Sequence, residues 1–67
     1  MTIAKTIEIT SSSKQSFEDA VRKGIARAGK TVDRIQGAWI SEQKVVVEAD
    51  KVAEYRVTMR VSFELKD

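Results

Sequence analysis

The residues of this chain that could do chemistry are few, because it contains neither histidine nor cysteine. The common bases, thiol nucleophiles and zinc ligand sets therefore cannot be built from it. What remains is a single tryptophan, Trp39, two residues after Gly37, with Arg56 in a later segment. On an extended strand, residues two apart share a face, so Gly37 and Trp39 lie side by side there. Such an indole can be a core or interface residue, or it can offer a flat surface to a planar ligand that Arg56 stacks on or donates hydrogen bonds to. Ser11, Ser12 and Ser13 stand where a helix should begin, and capping explains them without any nucleophilic role. The acid pairs Glu18/Asp19 and Glu48/Asp50 are of the type that holds a hard cation such as calcium. None has the spacing of an EF-hand loop, and solvated surface acids are the simpler reading. No glycine-rich stretch follows a strand in the manner of a phosphate loop. These exclusions point to a binding protein and not to an enzyme.

The elements that must position these residues are short in number and long in extent. With 67 residues there is room for one domain, 1–67, and no second core. A chain this small buries too little surface to be comfortably stable alone, and without disulfides or a zinc site the remaining supplement is self-association. The 12 basic and 10 acidic residues are interspersed, a net charge of +2, which gives no reason to expect a nucleic-acid partner. No run of 18 apolar residues could span a membrane, and Met1-Thr2-Ile3-Ala4-Lys5 lacks the pattern of a secretion signal, so a cytoplasmic setting is expected.

Alternation is clearest from Tyr55 to Leu65, with Tyr55, Val57, Met59, Val61, Phe63 and Leu65 on one face and Arg56, Thr58, Arg60, Ser62 and Glu64 on the other. This predicts a half-buried strand of an antiparallel sheet. Begun near Val52, it would run roughly 45 Å at ~3.3 Å per residue. A folded chain of this length should be about 28 Å across. The strand must curl around something or reach onto a neighbour, and it is expected to do both. Ile3 to Thr10 also alternate, and Ser12 with Gln15 has the spacing of a capping box for the helix that follows. Phe17, Ala20, Val21, Gly24, Ile25 and Ala28 form the helix's apolar stripe, with Gly29 as its stop. Its small residues should let the helix lie close on a sheet. A less regular strand is expected from about Arg34 to Glu48, with Gly37 marking a bulge or a close approach. Ala49-Asp50-Lys51 is the expected reversal, Asp50 being its turn former. The outcome is an α+β fold, β-α-β-β, with a three-stranded sheet in the order 1-3-2 wrapped around one helix. Arg56 and Arg60, on the face without a helix, should contact another subunit or an anion.

The segments Thr10-Ser11-Ser12 into Ser16-Phe17-Glu18, Ala26-Arg27-Ala28 before Thr31-Val32-Asp33, and Glu54-Tyr55-Arg56-Val57 running to Val61-Ser62-Phe63-Glu64-Leu65 resemble the dodecins over almost the whole chain. The resemblance implies a curved sheet around a helix, a homododecameric hollow shell, and a small-molecule ligand held without being turned over. It also implies a flavin (FMN, riboflavin or FAD) as ligand, held between tryptophans of two subunits and hydrogen-bonded by a glutamine. The family's tryptophan position falls on Gly37 and its glutamine position on Arg56, while Trp39 lies two residues on. In these positions the chain looks closer to dodecin-like proteins that lack the tryptophan and are linked to calcium, so a flavin-free shell that binds ions or serves a structural role is the alternative.

Overall fold

Tyr55, Val57, Met59, Val61 and Phe63 alternate with polar residues because a helix covers one face of their strand and leaves the other uncovered. The computed structural model describes residues 3–65, in the order β1 (Ile3–Ser13), α1 (Phe17–Ala28), β2 (Ile35–Glu48) and β3 (Lys51–Leu65). The last strand is the central one: the sheet order is β1-β3-β2, and both neighbours pair with β3 antiparallel. β1 and β2 therefore run parallel to each other, joined through α1, as the β-α-β-β pattern predicts. Val57, Met59 and Val61 are fully buried, packed with Ala20 and flanked by Ile7, Ile9, Phe17, Val21, Ile25 and Ile35.

The helix lies close to the sheet for the reason its composition suggests. Ala20, Gly24 and Ala28 are its buried residues. A Cβ added to Gly24 would come within 2.6 Å of Met59 Cε and 3.0 Å of Ser11 Cβ. The methionine terminus can swing aside, but Ser11 Cβ is tied to the backbone of β1.

The start of the helix differs from the sequence expectation. β1 does not end at Thr10, and Ser12 with Gln15 forms no capping box. β1 continues to Ser13 because β3 is long enough to pair with it, Ser11 opposite Val57, Ser12 opposite Arg56 and Ser13 opposite Tyr55. The cap moves four residues on, to Ser16, whose Oγ accepts from the Asp19 backbone N–H at 3.0 Å. At the other end Gly29 stops the helix as expected, in a right-handed conformation (φ −63°), and one further turn is held by N–H donors of Thr31 and Val32 to the Ala28 carbonyl.

β2 begins at Ile35 and not at Arg34, which has φ 59° and turns the chain into the sheet. Register shifts fall at Ile35/Gly37, Ile40/Glu42 and Val46/Val47. Gly37 thus marks a bulge, as expected, and not a close approach, since a Cβ there would meet nothing within 4 Å. The shift beside Ser41 explains the irregular pattern of this strand. It lets Ile40 and Val45, an odd number of residues apart, both share the helix-bearing face, opposite Met59 and Tyr55. β3 starts at Lys51, one residue before the expected start, because Glu48 pairs with Lys51 across a two-residue turn. Both turn residues, Ala49 (φ 51°) and Asp50 (φ 62°), are left-handed, the geometry of a type I′ hairpin.

The Cα radius of gyration is 13.8 Å and the principal extents are 52 × 19 × 14 Å. Scaling for a folded chain of this length gives about 11 Å, so the long strands do reach beyond the core.

Gly24→Ala should be destabilising despite alanine's helical advantage of about 1 kcal/mol. Forcing α1 from β1 costs about 1–3 kcal/mol, leaving a net loss of about 1 kcal/mol, read as a lower urea midpoint. Gly24→Val should lose more.

Candidate functional site

The face of the sheet away from α1 is uncovered and polar. Reading across it, Ser12, Arg56 and Lys44 form one row, Thr10, Thr58 and Glu42 the next, then Glu8, Arg60 and Trp39, then Thr6, Ser62 and Gly37. The hydroxyls of Thr10 and Thr58 lie 3.3 Å apart. Glu8 Oε2 is 3.8 Å from Arg60 Nε, and Glu54 Oε1 is 3.3 Å from Arg56 Nε. A shallow cavity of about 210 Å³ is lined by Thr10, Glu42, Lys44, Arg56 and Thr58.

Of the three binding residues expected from sequence, the structure brings two together. Gly37 and Trp39 share this face, with the indole 50% exposed and open space where a side chain at 37 would lie. Arg56 is on the same face, but it is not Trp39's neighbour within one chain. The register puts Arg60 opposite Trp39 and Lys44 opposite Arg56. Arg56 and Arg60 are four residues apart on an extended strand, ~13 Å. Arg60 lies on this face as the alternation of β3 predicts, whereas Lys44 and Glu42 were not evident as members of it, because their pairing depends on where β2 bulges. The hairpin turn alone predicts the Trp39–Arg60 pair. The Lys44–Arg56 pair exists only because the shift at Val46/Val47 moves the register by one residue.

The other candidate chemistry resolves into structure. Ser13 is buried, accepts from the Gln15 N–H at 2.9 Å and donates to Asp19 Oδ2 at 2.6 Å. Lys23 Nζ stands 3.1 Å from the same carboxylate oxygen. The Ser13 hydrogen bond first, and Lys23 second, hold the Asp19 carboxyl below its ordinary value of 3.8. The serine's hydroxyl is spent on fastening the strand end to the helix start, and the carboxylate that accepts from it is itself held by Lys23. Glu18 pairs with Arg22 one turn along the helix. Among the described residues no three acids gather into a metal site, and no helix is long and apolar enough to cross a membrane.

A β-α-β-β chain with this register and one uncovered polar sheet face defines a small α+β class, and comparison with known proteins makes it specific. The family model described as Dodecin matches residues 3–66, and the chain belongs to the dodecin family. Calcium dodecin from Mycobacterium tuberculosis is 33% identical over 66 residues, 98% of this chain and 93% of that protein. Its crystal structure, of a calcium-chelating antigen with a novel calcium-binding site, superposes with a TM-score of 0.84, covering 96% of this chain and 91% of that one. The dodecin from Streptomyces davaonensis, 26% identical, superposes with a TM-score of 0.94 over 98% of this chain and 97% of that one.

Because the folded state lowers the Asp19 pKa, its contribution to stability is fully present above its ordinary value and is lost as pH falls through the lowered one. Asp19→Asn should therefore be less stable than the parent chain at neutral pH. The difference in melting temperature between the two should shrink once the pH falls below 3.8 and vanish only below the lowered pKa.

Proposed function

We propose that this chain is a subunit of a homododecameric shell that binds or buffers a small ligand without turning it over, and that the ligand is of the flavin type. The observation that carries the reading is the half-exposed Trp39 beside the bare Gly37, on a polar sheet face with no helix over it. An aromatic ring laid on that indole gains about 0.5–1.5 kcal/mol beyond its buried area. Open backbone at Gly37 leaves room for the ring's edge. Arg56 lies too far from Trp39 in the same chain to serve the same ring, so its guanidinium acts on a ligand shared across a boundary between copies. It can donate to the ligand's carbonyl oxygens but cannot accept from a ring N–H, as an amide would. Self-association is supported by the protomer's elongation and by Val47, Val52 and Ile3, each about half exposed.

A second reading is favoured by the calcium-chelating relative at 33% identity. In it the shell is flavin-free and holds calcium through carboxylates contributed by more than one copy, since one chain assembles no cluster among its described residues.

Native mass measurement should find twelve chains of 7.5 kDa, about 90 kDa. The purified protein should be yellow and quench the fluorescence of added flavin, and Trp39→Ala should weaken flavin binding about 2- to 10-fold. Colourless protein with no quenching, together with calcium uptake in calorimetry, would replace the first reading by the second. Unchanged flavin affinity in Trp39→Ala would remove the indole from the site.

A further inference from the structure

Arg60 stands between two partners of different chemistry. Its register neighbours are Glu8 on β1 and Trp39 on β2, and the three side chains form one row across the uncovered face. Residues directly opposite each other on antiparallel strands have Cβ atoms about 4.5–5.5 Å apart, so the long stem of Arg60 can carry its guanidinium to either side. On the β1 side it meets a carboxylate. On the β2 side it meets an indole, whose ring quadrupole attracts a cation placed over its face. The structure shows the first arrangement: Arg60 Nε lies 3.8 Å from Glu8 Oε2, and Trp39 stays 50% exposed.

The two arrangements are closely matched. An exposed ion pair and an exposed cation–π contact are of similar, small strength, and the Arg60 and Glu8 side chains are 54% and 59% exposed, so packing does not fix the choice. Removing the carboxylate therefore hands the guanidinium to the ring. The diagonal neighbours point the same way. On β2, Glu42 is opposite Thr58 and so lies diagonal to Arg60, whereas the diagonal positions on β1 are Thr6 and Thr10, which carry no charge. A guanidinium released by Glu8 is drawn toward the indole's strand and not back to β1. Arg56 does not compete for the ring, being ~13 Å along the strand and 3.3 Å from Glu54.

A planar ligand and a stacked guanidinium would occupy the same indole surface. We infer that Glu8 is a positioning residue for the ligand face: it holds Arg60 toward β1 and so keeps the Trp39 ring open. The inference rests on the flavin-type reading above and deepens it, by naming the ion pair that decides whether the stacking surface is available. Glu8 need not touch the ligand to do this.

The chain has one tryptophan, so indole fluorescence reports Trp39 alone. Acrylamide quenching of that emission measures how open the ring is in ligand-free protein, and titration with riboflavin measures binding. Glu8→Gln should lower the acrylamide quenching constant and weaken riboflavin binding about 2- to 5-fold. Glu8→Lys, which sets a like charge opposite Arg60, should lower both further. Arg60→Ala added to either variant should return both readouts to those of Arg60→Ala alone. Losses that persist once Arg60 is removed would show Glu8 acting through the fold and would overturn the inference, as would an unchanged quenching constant in Glu8→Gln. If Glu8→Lys fails to fold, Glu8→Gln with and without Arg60→Ala decides the matter by itself. Absence of riboflavin binding by the unsubstituted chain would sink the flavin-type reading instead, while the acrylamide series still decides whether Glu8 keeps the ring open.

Discussion

The sheet is longer than the helix that covers it, and the rest of the structure follows from that mismatch. Twelve helical residues at ~1.5 Å each cover ~18 Å, while the 15 residues of β3 at ~3.3 Å each extend ~50 Å. The long axis of 52 Å is that strand. Hydrogen bonding drives the strands to this length, because every residue added to the ladder satisfies backbone donors and acceptors. Apolar burial stops far sooner, at the fully dry stretch Val57, Met59 and Val61. The backbone is thus completed within one chain over a length for which the apolar core is not, and Ile3, Leu65, Val47 and Val52 are left half open at the two ends.

The same mismatch decides where ligands can be met. The helix takes one face and closes it with small residues, Ala20 and Gly24, pressed onto β1 and β3. The opposite face keeps polar side chains in paired rows, several of them neutralised locally, as in Glu8 with Arg60 and Glu54 with Arg56. Among the described residues, Trp39 is the aromatic side chain that this face offers. Family membership and this arrangement are what support the ligand-binding reading proposed above.

Much of the fold was legible because its signals are local and redundant. The unbroken alternation from Tyr55 to Leu65 and the Phe17–Ala28 stripe each repeat one message over many residues. The helix start was misplaced because Ser12 and Ser16 are equally good caps by themselves. Which one is used depends on β3, far away in the chain, offering Ser11, Ser12 and Ser13 a ladder to join. The candidate site was half legible for a related reason. Gly37 and Trp39 are two apart on one strand, a local relation, whereas the pairing of Arg56 with Lys44 depends on the irregularities around Ser41 and Ala53, between which the register is shifted by one residue.

The amino-acid order alone thus determined the number, kind and sequence of the elements, the faces of β3 and α1, and the absence of histidine or thiol chemistry, since these rest on periodicity and residue type. The tertiary structure decided the reach of β1, the cap at Ser16, the partners of Trp39 and Arg56, and the pairing that commits Ser13 to Asp19. Those depend on which strand lies opposite which, and a one-residue shift between strands changes every cross-strand neighbour without changing a single local preference.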